Sequence, residues 1–308
     1  MEPSSEISAA SSSNNKNNST SMPKFKVLAF HGYRQNGSSF RGKIGSFRKT
    51  VAKYVDMTFL TGPHVASALI STASPFDDDQ RGWWFNAEDH SFSGKRVGGP
   101  AIGFTDTLEL VEKVFKEHGP FHGLLGFSQG ACLVGMLSAI IILIYLKMLL
   151  ETAILPYAFD FAIMASGFCS GSLVHKSFYD ADITLPTLHI YGDTDKVIPK
   201  EMSEALVNIF VKPLVVEHRG GHYLACSGSL KGKYKDFFND MVDEFLDIET
   251  MASPIGVCCE AEGSGEVKEI GKRKVGKYLA IQIWSPNTAN AISCNVSILN
   301  GGFTPGRY

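Results

Sequence analysis

The 308-residue chain is sparing in the features that mark several large protein classes. It has six cysteines, none in a C-x-x-C pair, and they are too thinly spread for a disulfide scaffold or a four-thiolate zinc site. Charged residues make up 19% of the chain and nearly cancel, leaving a formal net charge of −2. No Lys/Arg run forms a stripe that could follow a nucleic-acid backbone, so no nucleic-acid partner is expected. There is no long apolar run either. The longest relevant uncharged stretch, residues 131–146, stops at Lys147, short of the roughly 20 residues that a membrane-spanning helix needs. The first residues lack a basic segment followed by an apolar one, so no secretory signal is read. These absences predict a chain with free thiols in a reducing compartment, the cytoplasm, with the nucleus as a second location. They predict no membrane span, no metal and no cofactor.

What is present is an ordinary apolar fraction of 44% with a patterned middle. Residues 1–22 are mostly Ser, Asn, Ala and Thr, too polar to offset chain entropy, and are expected to be disordered. Residues 23–253 alternate short apolar runs with helix-like stretches. Strands are predicted at 26–30, 55–60, 123–126, 161–165, 188–191 and 214–218, and helices at about 40–54, 103–118, 129–150, 200–212 and 230–248. Such alternation predicts an α/β fold with a mostly parallel sheet and helices on both faces. Residues 254–308 turn Gly-, Ser-, Lys- and Glu-rich around one apolar piece, 278–284, and are expected to be a poorly structured extension.

The most informative motif is Gly126-Phe127-Ser128-Gln129-Gly130, a G-x-S-x-G sequence between an apolar strand and a helix. In that setting the serine stands on a sharp turn above the sheet, a nucleophile elbow. A serine hydroxyl needs a base and an orienting carboxylate. With the chain order serine, acid, histidine, the candidate histidines are His175, His189, His218 and His222. His189 reads as a packed strand residue and His218 as a strand end. His222 lies in a Gly-rich loop just after a strand, where a base belongs. For the acid, Asp193 and Asp195 both follow the strand at 188–191. Asp193 suits a local turn and Asp195 stands further toward the base, so Asp195 is favoured. Either could instead serve only an Asx-turn or helix cap. Two N–H donors are needed for the oxyanion: Gln129, next to the nucleophile, and Tyr33 in the loop after the first strand. His31 reads as a brace for that loop. Trp83, Trp84 and Phe85 fit either an apolar acyl pocket or a loop anchored to the core.

These motifs together resemble the FSH serine hydrolases, which include fungal hydrolases, thioesterases and animal esterases. The resemblance covers 24–247 and rests on Leu28–Asn36, Arg81–Phe85, Gly119–Ala131, Gly192–Pro199 and Gly220–His222. It implies an α/β-hydrolase fold and cofactor-free hydrolysis of a small-molecule ester or thioester. Ser128, Asp195 and His222 match the family's triad positions. Residues 139–146 are more apolar than the family pattern, and the tail past about 253 has no counterpart in it. The alternative is a catalytically silent binding protein on the same fold.

Overall fold

The computed structural model describes residues 24–66, 79–149 and 158–252. The expectations for 1–22 and 254–308 fall outside them. The chain divides into two compact units, Met1–Asp243 and Glu244–Tyr308. The described residues of the second are 244–252, the last turns of a helix.

The first unit is built on six strands: β1 (Phe25–Phe30), β2 (Val55–Leu60), then, after a two-residue hairpin β3/β4 (His64–Val65 and Arg81–Gly82), β5 (Gly123–Phe127), β6 (Phe161–Ala165), β7 (Thr187–Gly192) and β8 (Leu214–His218). All six lie in one sheet in the order β2-β1-β5-β6-β7-β8, and every pair is parallel. The inner strands β5, β6 and β7 are buried at every position, whereas the edge strands β2 and β8 are partly exposed. A strand covered on both faces has no polar side to show, so it reads as a continuous apolar run. The order reverses after β1: the chain crosses from β2 back past β1 to β5. The carboxyl ends of the strands beside such a reversal are where open parallel sheets bind ligands.

The helices are α1 (Gly37–Lys43), α2 (Gly45–Val51), α3 (Phe104–His118), α4 (Gln129–Leu149), α5 (Lys200–Val207) and α6 (Leu230–Ala252), with a 3-10 segment at Leu173–Tyr179. Strand residues of alternate parity sort between two apolar layers, as the pleat requires. Leu28, Phe30, Leu124, Ala162 and Met164 join Val111, Val114 and Phe115 of α3 and Ala131–Leu137 of α4. Phe161, of the other parity, meets Phe237 and Phe238 of α6 edge-on. Phe47 of α2 meets Tyr234 of α6 at 5.1 Å between ring centroids. The first half of helix α4 is apolar because it is buried; residues 129–139 are buried without exception. No helix among the described residues is long and apolar enough to cross a membrane.

Two expectations are adjusted. The helix foreseen at 40–54 is two short ones that meet at the buried Ile44, which ends α1 and precedes α2 with φ −96° and ψ 23°. Helix α5 stops at Val207 rather than 212. The hairpin and the 3-10 segment were not foreseen.

Candidate active site

Ser128 links β5 to α4. Its φ is +53°, in the left-handed region that a side chain disfavours. Its N–H donates to the Ala165 carbonyl at 2.9 Å, and its carbonyl accepts from the Cys132 N–H at 3.0 Å, so β6 and the first turn of α4 hold the strained residue. The flanking glycines have a steric cause. A Cβ on Gly126 would strike the Gly130 carbonyl, and one on Gly130 would strike the carbonyls of Phe30 and His31. Backbone cannot move aside as a side chain can, so both positions exclude larger residues.

His222 and Asp195 stand beside this serine. The Ser128 Oγ is 2.9 Å from His222 Nε2, and His222 Nδ1 is 2.7 Å from Asp195 Oδ2. The carboxylate can only accept there, so Nδ1 carries the proton and Nε2 is left to accept from the serine hydroxyl. Asp195 is fixed by its other oxygen, which accepts from the N–H groups of Val197 and Ile198, both at 2.9 Å. One residue therefore caps its own turn and meets the histidine. Its side chain is fully buried, and that of His222 is 18% exposed. Gly192 permits the approach of the two loops: a Cβ there would strike the carbonyls of Gly220 and Gly221.

The competing candidates are elsewhere. Asp193 is exposed. His189 is buried against Phe210, and burial lowers its pKa to about 3. His175 lies among Trp84, Phe104 and Phe178, its pKa lowered by burial to about 4. His218, its pKa also lowered by burial, packs its ring against Tyr223.

The loop after β1 carries Tyr33. His31, at its base, is buried, and burial lowers its pKa to about 4. The ring is therefore neutral near pH 7. Nδ1–H donates to the Gly32 carbonyl at 2.8 Å, and Nε2 accepts from the Gly62 N–H at 2.9 Å. That is the bracing role expected of it. Gly32 lies against Phe127 and Ser128. The N–H groups of Tyr33 and Gln129 have no acceptor among the described residues.

Trp83, Trp84 and Phe85 are in the core and do not line the space at Ser128, so the structure favours the anchoring role over the pocket role. Trp83 donates its indole N–H to the His31 carbonyl at 2.8 Å. The Gln129 side chain clamps the segment, accepting from the Trp83 N–H at 3.1 Å and donating to the Trp84 carbonyl at 2.7 Å. The cavity wall comes from farther along the same connection. Phe92 packs edge-on to Trp84 at 5.2 Å and against Tyr33 at 5.4 Å.

Among the described residues, one cleft reaches the serine and a second adjoins it at Gln35, Phe127 and His222. One, of about 280 Å³, is lined by Gly32, Tyr33, Phe92, Val197, Ile198 and Ser128 among others. The second, of about 420 Å³, shares Gln35, Phe127 and His222 with the first and adds Phe40, Lys43, Ile44, Tyr223 and Leu224. Phe92, Val197 and Ile198 escaped the sequence reading. The last two were visible only as the residues following Asp195, whose amides its carboxylate would cap.

The family described as serine hydrolase (FSH1) matches residues 20–231. An esterase of Drosophila melanogaster, CG5412, is 49% identical over 244 residues, covering 79% of this chain and 84% of its own. The esterase OVCA2 of Danio rerio is 41% identical over 225 residues, 69% of this chain and 95% of its own. Among solved structures, acyl-protein thioesterase 2 of Zea mays overlays 73% of this chain and 93% of its own, at 19% identity and a TM-score of 0.45. That overlay is too loose to bear on the site.

Proposed function

This chain belongs to the serine hydrolase (FSH1) family, and on that premise we propose that it cleaves carboxylic esters of apolar acyl chains, thioesters included, by acyl transfer through Ser128. His222 Nε2 takes the hydroxyl proton as Oγ attacks the substrate carbonyl. The carbonyl oxygen becomes an oxyanion that accepts from the N–H groups of Tyr33 and Gln129. The imidazolium then gives its proton to the departing alcohol or thiol, leaving an acyl group on Ser128. Water, deprotonated by the same histidine, releases the acid and restores the serine. Asp195 keeps the imidazole in the Nδ1–H tautomer and stabilises its charged form throughout.

The observation that carries this reading is the continuous pair of hydrogen bonds from Ser128 through His222 to a buried, doubly capped Asp195. The Tyr33 and Gln129 amides, without an acceptor among the described residues, support the oxyanion assignment. The aromatic and aliphatic lining, Phe92, Val197 and Ile198 on one side and Phe40, Ile44 and Leu224 on the other, supports an apolar chain. A panel of esters and thioesters of graded acyl length tests the reading. Wild type should turn over, improving with chain length. A chain with no turnover on any member, or with turnover unchanged in Ser128→Ala, would sink it.

A further inference from the structure

Three loops interlock at the rim of the smaller cleft. Gly98 N–H donates to the Gly171 carbonyl at 2.7 Å, and Ser172 Oγ donates to the Pro100 carbonyl at 2.8 Å, tying residues 93–100 to the start of the 3-10 segment. Lys95 Nζ donates to the Lys196 carbonyl at 2.7 Å, tying the first loop to the turn that carries Asp195. Each loop leaves aliphatic side chains in water: Val97 is 89% exposed, Leu173 72%, Val174 66% and Val197 54%. Single exposed aliphatics are ordinary. Four on hydrogen-bonded neighbouring loops, one of them in the cavity wall, are a patch that wants a partner. Residues 93–98, 171–177 and 196–198 also hold Lys95, Arg96, Lys176 and Lys196 and no carboxylate. None of these four cations pairs with a carboxylate within 4 Å among the described residues. Asp89, itself fully exposed, feels Arg96 electrostatically.

We propose that this rim docks on an anionic lipid surface, with Val97, Leu173 and Val174 entering the headgroup layer and the four cations meeting the lipid phosphates and carboxylates. Aliphatics ringed by cations are the pattern of a peripheral lipid contact. The charge complementarity favours a lipid surface over an apolar protein groove. The proposal rests on the hydrolase reading in one respect: it makes the lipid phase the source of the acyl substrate, which would enter the cleft past Val197.

Co-sedimentation of the full chain with vesicles tests it. One set is phosphatidylcholine alone, and the other also contains phosphatidylserine. Wild type and Ser128→Ala should sediment equally with the mixed vesicles and less with the neutral ones. The double variant Val97→Asp/Leu173→Asp should bind at least tenfold more weakly, since each lost aliphatic contact is worth about that factor. Its kcat/KM on a soluble short-chain ester should equal wild type, which also reports that it is folded. Lys176→Glu should lose much of the preference for phosphatidylserine. Wild type remaining in the supernatant with both vesicle types would overturn the proposal, as would variants that bind unchanged. A concentration-dependent dimer abolished by the double variant would assign the patch to a second copy instead. Vesicle binding without ester turnover would defeat the hydrolase reading and leave the lipid surface standing.

Discussion

The elbow at Gly126–Gly130 and the aromatic segment at Trp83–Phe85 are both conspicuous in the sequence, and they differ in what gives them their conformation. The elbow carries a pattern of its own, two glycines with a strand before and a helix after, even though the crowding that demands Gly130 comes from the Phe30 and His31 carbonyls. Its geometry could be read from five residues. The tryptophans have no such local rule. Their burial depends on residues far off in the chain, Gln129 some 45 positions later and the His31 carbonyl some 52 earlier. An aromatic triplet is equally good as a pocket wall and as a core plug, and only the tertiary partners decide. Local sterics are legible in sequence, whereas the choice of which apolar surface faces a cavity is not.

Substitutions in the elbow's catalytic company should break function without touching stability. Ser128→Ala and His222→Ala should each lower kcat by roughly 10⁴- to 10⁶-fold, with thermal midpoints close to wild type. A steady-state assay beside a melting curve checks both halves. Asp195→Asn should cost about 10⁴-fold in kcat, because the tautomer is no longer enforced. Asp193→Asn, on an exposed side chain, should be silent. The reverse pattern would exchange the two roles.

The aromatic segment should show the opposite signature. Trp84→Ala removes a fully buried indole and should destabilise by roughly 3–5 kcal/mol, depressing activity on short and long esters alike as the fold loosens. Phe92→Ala is the complementary case, since that ring lines the cleft. It should spare the fold more and raise KM for long-chain esters by roughly tenfold relative to acetate esters. If the two variants behave alike, the distinction between plug and wall is wrong.

The two segments meet at His31, whose carbonyl holds Trp83 and whose ring braces the Tyr33 loop. His31, His175 and His189 are held neutral, with pKa values of about 4, 4 and 3, while Asp160 is raised by burial to about 7. The histidines take up protons on unfolding below pH 6.5, and Asp160 releases one. Stability should therefore fall as pH drops from 6.5 toward 4, by about 1.4 kcal/mol per pH unit for each net proton taken up. Urea midpoints across that window measure the slope. His189→Gln should flatten it, by removing one of the buried imidazoles.

The smallest effect is expected from the far end of the chain. The proposed triad and oxyanion donors all lie before residue 223, and the last fully buried residue of α6 among those described is Met241. We propose that a chain ending at Ser253 keeps its kcat and melts within a few degrees of the full chain. Loss of solubility or activity would draw residues after 253 into the folded unit.

Legibility follows the same physical division elsewhere. All six strands of the main sheet were readable as short apolar runs, most cleanly β5 and β6, where burial on both faces leaves no polar residue. Ser128, His222 and Asp195 were readable as candidates from chain order and from their places at strand ends. The break between α1 and α2 was not, although Gly42 and Gly45 flank it. A glycine pair weakens a helix without saying that the chain must turn there. The two-residue strands β3 and β4 are too short to carry any periodicity. The cleft walls were missed because Phe92 and Ile198 gain their meaning from what they face.

The most direct test of the central claim is to trap the acyl-enzyme. The full chain is reacted with a fluorophosphonate, or quenched during turnover of a slow ester, and digested for mass spectrometry. A single adduct on Ser128 is predicted, absent in Ser128→Ala and formed far more slowly in His222→Ala. An adduct on another residue, or labelling that survives Ser128→Ala, would contradict it.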